Sequence, residues 1–227
     1  MRSITLATLT AASLLASTAW AAPASVVQFS QNTGANDVTI ANDTTLFGAA
    51  GATTITIANA TANISQLLDN ITPINGVDVI LNAASIDNAT ALGGAILQHF
   101  NGNFCLSSGP GCTGIDFLSG TFTDAAFGSA TGSQLTVNVS SPPDTLKMVS
   151  SVIPQSQLQA PSSLNFAFTS VNPALFIDTN LSIGAATGSF SGNASASTVP
   201  EPAGLALFGV GLLGLVGVRG LRRRHDA

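Results

Sequence analysis

The stretch SLNFAFTSV at 163–171 puts Leu164, Phe166 and Phe168 at every second position, with Asn165, Ala167 and Thr169 between them. A period of two is the signature of a strand with one face in an apolar core and the other in water. The same grammar recurs on both sides of it. Downstream lie LFIDTNLSI (175–183) and TGSFSGNAS (187–195). Upstream lie DVTIA (37–41), TTITIA (53–58), VDVILNA (77–83), IDFLSGTFT (115–123), QLTVNVS (134–140) and LKMVSSV (146–152). Turn formers separate these runs: Gly34-Ala35-Asn36, Asn75-Gly76, Asn101-Gly102-Asn103, Pro142-Pro143-Asp144 and Asn172-Pro173. Only ISQLLDNI (64–71) and VIPQSQLQ (152–159) read as short helical turns. Many short strands with Gly and Pro turns predict an all-β, β-sandwich-like domain. Phe104, Phe117, Phe122, Phe166, Phe168, Phe176 and Phe190 are its expected core. Thr-Ile-Ala-Asn occurs twice, at 39–42 and 56–59. Two copies predict two similar neighbouring strands; three or more would be needed for a solenoid, and a β-helix stands as the alternative fold.

Composition narrows the function. Residues 22–199 hold nine Asp, no Glu, no Arg and a single Lys, Lys147, for a formal charge of −8. Such a domain repels nucleic acid and anionic lipid, so neither is expected as a ligand. Its two cysteines, Cys105 and Cys112, enclose the turn-forming LSSGPG. In an oxidising compartment they are expected to pair and clamp a hairpin or loop. Closing a loop of about eight residues stabilises by about 2.5 kcal/mol in the chain-entropy model.

The two ends carry addresses rather than chemistry. Residues 1–21 read as a signal peptide: Arg2, an apolar stretch from Ile4 to Ala16, and a small-x-small cleavage site at Ala19 and Ala21. At the other end Val199, Pro200, Glu201 and Pro202 precede an uncharged run from Ala203 to Val218, followed by Arg219, Arg222, Arg223 and Arg224. Sixteen helical residues cover about 24 Å. Extended to 203–221 with Arg219 snorkelling, the run approaches the ~30 Å hydrocarbon core and predicts a transmembrane helix. The arginines fix its end in the cytoplasm. The expected order is thus a signal peptide (1–21), a β-rich exported domain (22–188), a flexible tether (189–199) and a sorting segment (200–227).

That three-part tail resembles the PEP-CTERM sorting signal of Gram-negative bacteria. The resemblance covers about an eighth of the chain. It implies that exosortase, a membrane transpeptidase, recognises Val199–Pro202 and processes the chain during export. By that likeness the motif serves another enzyme and is not catalytic. Two prolines around Glu201 suit the role, since they hold the backbone extended and outside the following helix. The expected partners are signal peptidase, exosortase, the membrane through the C-terminal helix, and exopolysaccharide. The expected location is the cell surface or the extracellular space after transient anchoring. The segment 104–129 resembles a recurrent ectodomain type found ahead of such tails, which implies a compact β domain.

No catalytic constellation is legible in the exported part. His99 is its only histidine, in the apolar context GGAILQHF, and no G-x-S-x-G surrounds any serine. Nothing in the spacing of the aspartates selects a pair for glycoside hydrolysis. The expectation is a protein that is not an enzyme and needs no cofactor. Calcium is the one ion with a motive, since Asp37, Asp43, Asp116 and Asp124 lie near turns, although no D-x-D or EF-type loop occurs. Eight Asn-x-Ser/Thr sequons, at Asn42, Asn59, Asn63, Asn70, Asn88, Asn138, Asn180 and Asn193, read as polar strand and turn residues. Two function classes follow: a non-catalytic exported surface or matrix protein, and a calcium- or carbohydrate-binding adhesion module. The absence of Tyr, and loss of Trp20 with the signal, weigh against sugar stacking.

Overall fold

A computed structural model describes residues 23–32, 36–46, 50–68, 73–93, 95–129, 135–141 and 144–197. The expected signal peptide, sorting motif and transmembrane helix lie outside the described residues. Eleven strands form the domain: β1 (Ala24–Gln31), β2 (Val38–Asn42), β3 (Thr53–Leu67), β4 (Ile74–Ser85), β5 (Thr90–Leu92), β6 (Ala95–Gly109), β7 (Thr113–Ser129), β8 (Leu135–Ser141), β9 (Thr145–Val149), β10 (Gln159–Asn172) and β11 (Ala186–Ser197). Every strand pairing among the described residues is antiparallel. A parallel β-helix is therefore not the fold.

The pairing closes on itself in the order β6, β4, β3, β1, β11, β10, β8, β7 and back to β6. Closure leaves fewer unpaired edges than an open sandwich would. Between β3 and β11 the gap is filled twice. Val27–Gln31 of β1 pairs with one half of β3, and β2 pairs with the other half. The repeated tetrapeptide sits in this pair, with Thr39 opposite Thr56 and Ile40 opposite Ile55, as the echo predicts. Beyond Ala125 the far half of β7 joins β8, and its near half joins β9 at 119–123.

Period-2 patterning builds the core. Leu164, Phe166 and Phe168 of β10, Phe29 of β1, Phe100 and Phe104 of β6, and Phe122 and Phe127 of β7 all point inward and are buried. Six of the seven expected core phenylalanines are inside. Phe176 is not: it is 48 % exposed. The run 175–183 that carries it is no strand, and contributes only the bridge Ile177–Ile183. The 64–71 helical turn is likewise corrected. Its described residues continue β3, where Ile64 pairs with Phe29 and with Ile74. The turn expected after 152 exists as a 3₁₀ turn, Gln155–Gln157.

Asn101-Gly102-Asn103 is not a turn but the middle of β6. A Cβ on Gly102 would collide with the Asn82 carbonyl oxygen and the Phe122 ring, so the glycine serves close strand packing. The tether expected over 189–199 is corrected as well. Residues 189–197 belong to β11, which pairs with β10 over 187–197 and with β1 over 191–196, while 198–199 lie outside the described residues. Cys105 and Cys112 form a disulfide with their Cα atoms 6.0 Å apart. It holds the β6–β7 hairpin tip, and the Gly111 N–H donates to Asn59 Oδ1 at 3.0 Å.

Candidate functional site: the loop cluster opposite the termini

The ring has two unlike ends. At one, β1 starts and β11 finishes, with Ala24 paired to Ala196. At the other, the described parts of three connections converge: 43–46 and 50–52 after β2, 86–89 with the β5 hairpin, and 173–185 between β10 and β11. Loops gathered at one end of a β framework are where such folds place binding groups.

Buried polar contacts knit these loops into one body. The chain reverses at Asp178–Leu181: Asp178 N–H donates to Ser182 O (2.9 Å), and Asp178 Oδ1 accepts from Asn180 N–H (2.6 Å). Asn180 is 2 % exposed. Its side-chain amide lies 3.0 Å from that of Asn42 and against the Asp178 carboxylate. Asn42 Nδ2 in turn donates to Asp178 Oδ2 at 3.1 Å. Ile183 N–H donates to the buried Thr53 Oγ1 at 3.1 Å, and Ala89 N–H donates to Leu181 O at 2.8 Å. Gly51 N–H reaches Ser85 O at 2.7 Å. The buried Ser182 hydroxyl has no partner among the described residues, but the other contacts tie the three loops to one another closely enough to present a fixed surface.

That surface is apolar in part. Leu46, Ile86, Leu92, Phe176 and Leu181 all stand at least 36 % exposed on these loops. Phe176 lies flat enough on Gly184 that a Cβ there would meet the ring. The glycine supports one face of the phenyl group and leaves the rest to solvent.

His99 belongs to the same end. Its Nδ1 lies 2.5 Å from Asp87 Oδ2, and its backbone N–H donates to Asp87 Oδ1 at 2.8 Å. Gln98 Nε2 donates to the Asp87 carbonyl at 2.8 Å. The histidine thus has an aspartate partner but, among the described residues, no serine or threonine hydroxyl bonds to its ring. What the pair does is brace the turn between β4 and β6.

The four candidate calcium ligands are not brought together. Asp37 accepts from Gln31 Nε2 (2.7 Å), Asp43 from the hydroxyl and N–H of Thr45 (2.6 and 2.9 Å), and Asp116 from Ser119 Oγ (2.6 Å). Asp124 sits at a left-handed bulge, φ 61°, with its N–H donating to Asn101 Oδ1. Among the described residues no group of three or more His, Cys, Asp or Glu could hold a metal ion. These carboxylates serve the local turns instead. Also among the described residues, no helix is long and apolar enough to cross a membrane.

Sequence reasoning missed this loop cluster because Phe176 and Leu181 sit in the run 175–183, which looks like a core strand, and nothing local shows that Leu46, Ile86 and Leu92 share one end with them.

Comparison with known proteins finds an addressing motif in the residues that follow β11. Residues 198–224 match the model of the PEP-CTERM protein-sorting motif. The match takes in Val199 to Pro202, the apolar run and the arginine cluster. An exported protein sorted through its tail by exosortase is the class this defines. The chain carries a PEP-CTERM protein-sorting motif, and the match begins at the residue after β11 ends at Ser197. No curated protein and no solved structure matches the chain.

Proposed function

We propose that this is a non-catalytic surface or extracellular-matrix protein, exported, briefly anchored, and released or transferred by exosortase acting at Val199–Pro202. In this reading Ala19 and Ala21 direct signal peptidase, residues 203–221 span the membrane, and Arg219, Arg222, Arg223 and Arg224 hold the cytoplasmic side. The observation that carries it is the position of the matched motif, which begins at 198, directly after β11 ends at Ser197. A cut at the motif removes no residue of the ring, so what is freed keeps its disulfide and its whole core. Cleavage also removes four of the five basic residues that remain after the signal, leaving the acidic domain. Mass spectrometry of the protein from its native host tests this. Molecules ending near 199–202 are expected; an intact chain to Ala227 on most molecules, with exosortase active, would overturn it.

A carbohydrate-binding role is the second reading, and Phe176 is what favours it. An exposed ring supported from below by Gly184 can take the apolar face of a sugar. Calorimetry of the domain with purified matrix polysaccharide tests it; heat with the native sequence that is lost in Phe176→Ala is the expected result, and no heat sinks this reading.

A further inference from the structure

The ring end that carries the termini has an apolar surface of its own. Beyond β9 the chain runs back along β7: Ser151 N–H donates to Asp116 O at 2.9 Å, and Ser150 Oγ donates to Phe117 O at 2.7 Å. The segment 150–158 then crosses this end and enters β10 at Gln159, which pairs with Ser197, the last residue of β11. Ile153 and Leu158 plug the core from here, 2 % and 5 % exposed. Ile115, Val149 and Val152 point the other way, 49 %, 50 % and 43 % exposed. Val149 is paired with Ser119, and Ile115 and Val152 flank the Asp116–Ser151 hydrogen bond, so the three belong to one neighbourhood. The remaining described exposed large apolar residues, Leu46, Ile86, Leu92, Phe176 and Leu181, are all on the opposite loops.

Chain length decides what this patch meets. Five residues separate Ser197 from Ala203, where the apolar run begins. Fully extended, that link reaches about 20 Å. It contains two prolines and is short, because most of the stretch expected as a tether is β11. An anchored domain is therefore held with its termini end within about 20 Å of the bilayer, at high effective concentration.

We propose that Ile115, Val149 and Val152 form a membrane-resting face, which lies on the lipid interface while the tail is attached and is freed when the tail is cut. The inference rests on the reading of residues 203–221 as a membrane span. Three half-exposed aliphatic side chains are too small a patch to hold a soluble domain on lipid; tethering makes the contact, and release ends it. The acidic domain favours a zwitterionic over an anionic surface. The contact also sets the orientation, with the Phe176 loops turned outward and the motif brought to the interface.

The mature chain has no Trp once residues 1–21 are gone, so a single introduced Trp is a clean reporter. The full chain, signal removed, is reconstituted in phosphatidylcholine vesicles with bromine on the acyl chains. Val149→Trp and, as a control on the opposite loops, Leu92→Trp are compared. The expected result is at least about twofold quenching of Val149→Trp, with a blue shift, and none for Leu92→Trp. Adding Ile115→Asp and Val152→Asp to Val149→Trp should abolish the quenching while circular dichroism still reports the fold. Equal quenching of the two reporters, or quenching that survives the aspartates, would overturn the membrane-resting face. Protein that fails to float with the vesicles would instead sink the membrane-span reading, and the inference with it.

Discussion

The ring centroids of Phe29 and Phe166 lie 5.2 Å apart with the planes at 67°, edge to face, although they sit on strands separated by β11. The residue between them is Gly192, opposite Phe29 on one side and Phe166 on the other. With no side chain at that point, two large rings share the space that three residues would otherwise occupy. The edge-to-face geometry adds to the area they bury.

Gly192→Ala should therefore be a core mutation, not a mild strand substitution. A Cβ there would run into the Phe29 ring and lies 2.6 Å from the Asn165 carbonyl oxygen, which cannot move without breaking the sheet. The expected cost is about 1–3 kcal/mol, read from urea unfolding followed by far-UV circular dichroism. Phe29→Leu in the same chain should restore part of the loss. Additive losses would mean that the carbonyl, not the ring, is the obstacle.

Ala24 opposite Ala196 makes the first and last strands of the ring neighbours. The closed core cannot form until β11 has been made and exported. A chain stopped after Ser197 should melt within about 2 °C of one carrying residues 198–202. One stopped after Gly188 removes the strand that β1 and β10 share, and should show no cooperative transition in calorimetry. A cooperative melt of the shorter chain would show that the ring does not depend on β11.

The framework was legible because alternation is a local signal. Nine runs were expected as strands, and 163–171, 187–195 and 77–83 sit in β10, β11 and β4. What failed was wherever one residue type serves two purposes. Asn101-Gly102-Asn103 has turn composition, yet its glycine is there because the Asn82 carbonyl and the Phe122 ring pass overhead. That is a tertiary reason no window can see. Phe176 has strand neighbours, but Asp178 and Asn180 close a tight reversal that turns the ring outward. β1 escaped because its residues follow a signal-like stretch and its register contains a bulge between Ser25 and Val27. Residues 189–197 read both as the end of a strand run and as the start of a tether, because a strand buried among neighbours can be built of Ala, Gly and Ser where flanking rings fill the core.

Two aspartates should give opposite pH dependence. The hydroxyl and N–H of Thr45 hold the Asp43 carboxyl below its ordinary 3.8. Its stabilising contribution is present above 3.8 and is lost as pH falls through the lowered folded value. Burial raises the Asp78 carboxyl above 3.8, against a smaller opposing effect of the Gly111 N–H. Its folded form takes up a proton first, so its contribution is present below 3.8 and is lost as pH rises through the raised value. Asp43→Asn should lower Tm at pH 7 and leave it unchanged near pH 2. Asp78→Asn, which still offers Gly111 an acceptor, should match or exceed the native Tm at pH 7, with the gain gone near pH 3. Calorimetry at the three pH values checks both, and parallel trends in the two variants would contradict the assignment.

The sequons separate by burial, and that separation can be measured. Asn180 is 2 % exposed, and its side chain is shared between Asn42 and Asp178 in the reversal that docks residues 173–185. Removing that amide strands polar partners in a place water does not reach. Asn180→Ala should cost about 1–3 kcal/mol and loosen the loop cluster, which amide exchange at Ile183 and Ala89 would register first. Asn193 is the contrast: it faces outward on β11, opposite Gln28 and Asn165, and its replacement by Ala should change stability by less than about 0.5 kcal/mol. In the folded domain a glycosyltransferase could reach Asn193 but not Asn180. Modification found at Asn180 would therefore have to precede folding, and the modified chain could not dock the 173–185 loop as seen here. A stable, fully folded domain carrying a glycan at Asn180 would refute the buried placement on which the whole loop cluster depends.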